Sequence, residues 1–328
     1  MNYRADFVAG ANERSLDAAT VASVRAVTRA LWLLVGLMAA FAIVCLRVLE
    51  MRVDFTSNPV LLAIAAAYAG LTLYYVTMRN EPRLGGALLT AGQLFIILFV
   101  GLLLTYAAMA VALPYRDAEL YAADRWLGFD RAAYLALVDA HPWLGTTLNV
   151  AYLSIMPQMA LVPFLLLLAG QTSRLQRFTL AFGLALVATA FVSAFIPAQD
   201  AFIYVDLARR GVASLPPRFY TQIPTLDALP ANMPYSVRLD NLEGLVTFPS
   251  FHTASAIMFT WALRRVRYVG WIAAAVNVLM ILSTPYSGAH DLVDVLAGAV
   301  VAVAAIGASI RVAARLQRRE CRLLALTY

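Results

Sequence analysis

Apolar residues run in long blocks along this chain, and short polar stretches between the blocks carry most of the charge. The blocks fall at about 30–46, 59–78, 86–112, 146–169, 178–197, 250–263, 268–284 and 293–310. A helix needs about 20 such residues to cross a bilayer, and the sixth and seventh blocks are short by that measure. Barrel strands would alternate polar with apolar and would be about half this length, so the blocks predict helices. The expected architecture is an all-α integral membrane protein with about eight transmembrane helices.

Composition strengthens that reading. Of 328 residues, 62% are hydrophobic and 13% are charged. Soluble domains average about 45–50% apolar and about 25% charged. The mean hydropathy of +0.74 excludes both an ordinary soluble globule and a disordered chain. Two cysteines, Cys45 in an apolar block and Cys321 in a basic tail, form no disulfide or zinc framework. The stretch from Met1 to Arg29 is polar with charges of both signs, unlike a cleavable leader, so the first block is expected to remain as a span.

All 25 basic residues are arginine, and their placement predicts a topology. With the N-terminus in the cytoplasm, the inside segments are about 1–29, 79–85, 170–177, 264–267 and the tail from 311. They hold 16 arginines, against 9 in the longer outside segments. This is the positive-inside bias. It places a multi-pass chain in the cell membrane with both termini cytoplasmic. Two outside loops are long. The first, 113–145, mixes Leu120, Trp126, Leu127 and Tyr134 with carboxylates and arginines, which predicts short amphipathic helices on the membrane surface. The second, 198–248, is rich in proline and aromatic residues and predicts a lid at the lipid boundary.

Polar groups are sparse within the apolar blocks, so the two places that gather them carry information. One is Thr247-Phe-Pro-Ser-Phe-His-Thr-Ala-Ser255, and the other runs from Ser283 to Gly298. Both fall at the outer face, and each contains a histidine. His290 and Asp294 are four apart, a spacing that puts two residues on one face of a helix. A carboxylate that accepts one imidazole N–H leaves the other nitrogen with a free lone pair, which is the oriented base of nucleophilic catalysis. A carboxylate at a membrane boundary needs a partner, and His290 is the nearest candidate.

Pro249 and Ser250 are good helix-start residues. The N–H groups of that first turn, with the positive end of the helix dipole, form an anion site. His252 sits in that turn, placed to donate a proton to a leaving oxygen. His141, followed by Pro142 and Trp143, lacks such company and reads as interfacial. The Trp261, Tyr268 and Trp271 group reads as an aromatic belt.

At these residues the sequence resembles the type 2 phosphatidic acid phosphatase superfamily. That family carries P-S-G-H and then S-R-x5-H-x3-D, each at the start of a helix in a six-helix core. Pro249-Ser250-Phe251-His252 resembles the first motif, with Phe251 for Gly. Ser283-Thr284, five residues, His290, three residues and Asp294 resemble the second, with Thr284 for Arg. The stretches Glu243 to His252, Gly288 to Asp294 and Arg116 to Asp130 look more like the inositol phosphorylceramide synthase-like branch. The resemblance implies a six-helix phosphatase-like core from the third to the eighth span, with two N-terminal spans added. The chain then divides into 1–85, a catalytic core over 86–310 and a basic tail over 311–328.

The resemblance also implies residue roles. His290 would be the nucleophile that becomes a phosphohistidine, Asp294 its orienting partner and His252 the acid and base. Ser250, Phe251 and Gly288 would line the phosphate site. The family's K-x6-R-P motif is absent, because the chain has no lysine. A transferring phosphoryl group needs positive charge, and Arg238 is the leading substitute for the missing cations, ahead of Arg116 and Arg125. No metal, cofactor, nucleic acid or obligatory protein partner is expected, and membrane lipids are the expected substrates. The implied activity is a metal-independent lipid phosphotransferase or phosphatase at the extracytoplasmic face, with transfer of an inositol phosphate-like headgroup favoured. A lipid phosphate phosphatase is the alternative. A non-catalytic lipid-binding protein or transporter is the rival of another class, but it would need polar groups at mid-membrane in broken helices.

Overall fold

A computed structural model describes residues 3–79, 82–198, 225, 229 and 234–326. The expected lid falls mostly outside the described residues. Among the described residues the chain is helical almost throughout, as its apolar blocks predict. In order the helices are α1 (Tyr3–Val48), α2 (Pro59–Thr77), α3 (Pro82–Ala110), α4 (Asp117–Trp126), α5 (Arg131–Asp139), α6 (Pro142–Leu153), α7 (Ile155–Leu168), α8 (Thr172–Phe195), α9 (Phe251–Leu263), α10 (Val269–Ser287) and α11 (Leu292–Leu326). Two three-residue strands, β1 (Arg52–Asp54) and β2 (Ser236–Arg238), pair in parallel.

Among the described residues, six helices are long and apolar enough to cross a membrane, and a seventh crossing arises if α6 and α7 form one span bent by 49°. The block at 250–263 forms α9, a 13-residue helix. At 1.5 Å per residue it reaches about 20 Å, against a hydrocarbon core of about 30 Å. Its surroundings explain how so short an apolar helix is accommodated. It packs against α7, α8, α10 and α11, and Ala254, Ala256, Met258, Phe259 and Ala262 are fully buried. Protein, not lipid, is its solvent.

The larger of two apolar clusters ties the long helices together, and a smaller one gathers Met51, Leu103, Tyr106, Met109, Val237 and Leu245. Leu31 and Val35 of α1, Leu94 and Ile97 of α3, Phe178 and Phe182 of α8, and Phe259 of α9 all belong to the larger one. Buried amides tie α1 to its neighbours: Gln176 Nε2 donates to Val24 O and Thr28 Oγ1 at 3.0 Å each, and Gln93 Nε2 donates to Thr28 O at 3.2 Å. The first helix is therefore built into the core. By contrast, Thr72 is the one buried residue of α2.

The segment 113–145 contains the short helices expected there. Asp130 caps α5 by accepting the Ala133 N–H at 3.1 Å. Each helix buries one stripe: Leu120 and Asp124 on α4, and Arg131, Leu135 and Val138 on α5. Trp126, Leu127, Leu137 and Trp143 stay exposed. The buried stripes bring α4 against α11, and α5 against α6 and α10.

Candidate active site

The first histidine is placed by a helix start. Ser250 has an extended backbone and caps α9, its hydroxyl accepting the Thr253 N–H at 3.4 Å. Phe251 and His252 follow in the first turn, where backbone N–H groups have no acceptor within the helix. The Phe251 ring packs edge-on against Phe182. The His252 ring stacks on Tyr152 of α6, with centroids 3.9 Å apart and planes 14° from parallel.

The second histidine lies in the connection between α10 and α11. The chain leaves α10 at Gly288, and Ala289 takes a positive φ of 53°. His290 then turns inward, and its N–H donates to Thr284 O at 3.2 Å. Its Nδ1 lies 3.3 Å from Asp294 Oδ2, an oxygen that also accepts the Asp291 N–H at 3.0 Å. His290 and Asp294 are 3% and 0% exposed, so the pair is shielded from water. Their four-residue spacing works through a loop and a first helical turn, since α11 begins only at Leu292.

Three features join the two segments. The imidazole centroids of His252 and His290 are 6.4 Å apart. The Ser250 N–H donates to the Asp294 backbone carbonyl at 3.0 Å. One turn along α11, a Cβ at Gly298 would lie 2.2 Å from the Ser250 carbonyl oxygen, so only glycine permits this approach. Gly288 has a similar role, because a Cβ there would meet the Tyr152 ring at 2.6 Å and the His290 ring at 2.8 Å.

The charges around His290 come from the surface helices. Arg131 of α5, 2% exposed, donates to Asp291 Oδ1 at 2.7 Å and to Ala289 O at 3.2 Å. Asp124 of α4, also 2% exposed, accepts the Leu292 N–H on Oδ2 at 2.8 Å and the Val293 N–H on Oδ1 at 2.9 Å. It thereby caps the start of α11 from a remote part of the chain. Burial, and next the Arg131 charge, push the His290 pKa down to about 3, against a hydrogen bond with the Thr247 backbone that acts the other way. His290 is therefore a neutral imidazole at neutral pH.

Of the residues singled out in the sequence, Ser250, Phe251, His252, Gly288, His290 and Asp294 belong to this cluster. Arg238 is placed differently. It lies on β2 with its side chain 58% exposed, and it grips both oxygens of Asp240 at 3.0 and 2.6 Å. Arg116 and Arg125 are exposed beside Glu119 and Asp130. Thr284, where the resembled motif has arginine, is buried, and its hydroxyl donates to Ile281 O. His141 is exposed, with Nδ1 2.9 Å from Leu137 O. Tyr152, Asp124, Arg131 and Gly298 were not readable as site residues. Asp124 and Arg131 stand among other charges in an amphipathic stretch, and nothing local distinguishes the buried pair from the exposed ones.

The fold and this site define a multi-pass helical membrane protein with two histidines and a carboxylate gathered at helix ends. The family model of the PAP2 superfamily matches residues 118–308, and the chain belongs to that superfamily. The match begins within α4 and ends within α11, so it takes in both histidine segments and both surface helices. Membership supports a phosphoester-cleaving lipid enzyme. No curated protein and no solved structure matches the chain.

Proposed function

We propose that the protein cleaves a phosphoester of a membrane lipid through a phosphohistidine on His290, and passes the phosphorylated headgroup to a second lipid alcohol. The observation that carries this reading is the 6.4 Å separation of the two imidazoles, with Asp294 against one of them. Asp294 accepts the Nδ1–H of His290, and Nε2 becomes the nucleophile once the ring gives up its hydrogen bond with the Thr247 backbone. In the first step Nε2 attacks phosphorus, the bond from phosphorus to the leaving oxygen breaks, and His252 gives that oxygen a proton. In the second step an acceptor hydroxyl attacks the same phosphorus, His252 takes its proton, and the P–N bond breaks.

The low pKa of His290 suits a nucleophile, since no proton must be removed before attack. The N–H groups at the start of α9, with the helix dipole, would receive the phosphoryl oxygens. Further positive charge would come from Arg238 if it exchanged Asp240 for phosphate. Burial of His290 and Asp294 favours a lipid alcohol over bulk water as acceptor. The inositol phosphorylceramide synthase-like motifs favour the same outcome, with an inositol phosphate-like headgroup. The arginine distribution supports action at the extracytoplasmic face with both termini cytoplasmic. The test supplies lipids labelled in the headgroup phosphate and follows free phosphate, water-soluble phosphorylated headgroup and labelled lipid product in wild type and His290→Ala. Labelled lipid product made by wild type alone supports transfer. Free phosphate or a water-soluble phosphorylated headgroup, without labelled lipid product, reassigns the protein as a hydrolase. None of these products from wild type removes the enzymatic reading.

A further inference from the structure

The connection carrying His290 is gripped from outside by two short helices that contribute nothing to either histidine motif. Arg131 holds the carbonyl of Ala289 and the carboxylate of Asp291, the residues flanking the nucleophile. Asp124 holds the next two backbone N–H groups, those of Leu292 and Val293. Four successive points around His290 and Asp294 are thus fixed by two side chains, each 2% exposed. Ala289 has a positive φ, a conformation that a non-glycine residue keeps only where its surroundings enforce it. The Arg131 bond to its carbonyl is such an enforcement. Buried ionised groups are also costly without partners, so their placement here calls for an explanation beyond filling space.

We propose that Asp124 and Arg131 are positioning residues for the phosphoryl-transfer step. They clamp the 289–293 connection so that His290 and Asp294 hold attacking geometry, which makes the α4–α5 pair a working part of the site. The inference rests on the proposed function, because it assumes that His290 attacks phosphorus. Its energetic basis is orientation. A displacement of about 1 Å at a reacting atom is enough to lower turnover by about 10²-fold. Arg131 has a second effect, since its positive charge opposes protonation of His290. Among the described residues, the other charged and titratable groups facing this connection are Asp124 and Asp117 of α4, Asp291, Asp294 of α11, His252 of α9 and Tyr152 of α6.

The experiment measures kcat and KM in detergent with p-nitrophenyl phosphate and with labelled phosphatidic acid, from pH 4 upward. Its variants are Arg131→Gln, Arg131→Lys, Asp124→Asn and His290→Ala, each checked by monodisperse elution. Arg131→Gln and Asp124→Asn should lose about 10²-fold in kcat with KM nearly unchanged. In Arg131→Gln the acid-side decline should also begin at higher pH than in wild type. Arg131→Lys keeps the charge but not the two-point grip, so it should restore the acid limb while recovering only part of kcat. If Arg131→Gln does not elute as a folded species, Arg131→Lys and Asp124→Asn carry the test through kcat against KM. Wild-type kcat in both of these, or a loss confined to KM, overturns the clamp. So does an acid limb unmoved in a folded Arg131→Gln. An active wild type with dead His290→Ala and unaffected clamp variants removes this inference and leaves the proposed function standing. Activity retained in His290→Ala removes both.

Discussion

Replacing Gly298 by alanine tests how the two histidine segments are brought together. The added Cβ would stand 2.2 Å from the Ser250 carbonyl oxygen, 3.1 Å from its carbon and 3.2 Å from Thr253 Cβ. Two of these atoms are backbone at the capped start of α9, so no side chain can swing away to make room. Restoring ordinary contact requires α9 and α11 to part by roughly 1 Å. The Ser250 to Asp294 backbone hydrogen bond, now 3.0 Å, would lengthen beyond useful range with that shift. His252 rides on α9 and Asp294 on α11, so the same displacement falls between the proton donor and the nucleophile. A misplacement of that size lowers turnover by about 10²-fold. Stability should change less. Overpacking costs about 1–3 kcal/mol, and replacing a helical glycine returns about 1 kcal/mol. Gly307→Ala is the control on the same helix, since the nearest atom to its added Cβ would be the end of the Arg311 side chain at 3.6 Å. The assay compares initial rates of p-nitrophenyl phosphate hydrolysis and thermal unfolding for both variants in detergent. Turnover in Gly298→Ala equal to that of Gly307→Ala would refute the reasoning, because the close approach would then have no bearing on the chemistry.

Four other outcomes are expected. His290→Ala should abolish turnover of every substrate, whereas His252→Ala should lose about 10²–10⁴-fold on alkyl phosphoesters and recover part of that on aryl esters, whose leaving group needs no proton; the reverse pattern would exchange the two roles. Tyr152→Ala removes the ring stacked on His252 and should lower kcat by about 10-fold, an effect in line with about 0.5–1.5 kcal/mol for such a contact, and wild-type kcat in Tyr152→Ala would deny the stacked ring a part in placing His252. Arg238→Ala should weaken substrate binding or turnover while Arg264→Ala should not, and equal kinetics for the two would shift the phosphate-binding charge elsewhere, since Arg238 already pairs with Asp240. Because His290 is held neutral, the folded state binds fewer protons than the unfolded one below the ordinary histidine pKa of 6.5. Its contribution to stability is complete above pH 6.5 and is lost as pH falls toward about 3, so melting temperature should drop over that range and drop less steeply in His290→Asn.

The helical membrane class was legible because the tendency to enter lipid is a local property, summed over a run of apolar residues. The same locality made Ser250 readable as a cap, and it made His290 and Asp294 readable as a pair, since four residues of chain bring them together whether or not the helix includes both. Span count was less legible. The block at 250–263 looks like a short span, but α9 is enclosed by four other helices, and an apolar run does not distinguish a lipid surround from a protein one. The meeting of His252 with His290 depended on packing between α9 and α11, which turns on the missing Cβ of Gly298. Asp124 and Arg131 lay furthest from view. Their partners are about 160 residues away along the chain, and burial separates them from Arg116, Arg125 and Asp130, which have the same chemistry and sit in the same stretch. A charged side chain acquires its role from the groups that surround it after folding, and those surroundings are set by contacts between distant segments.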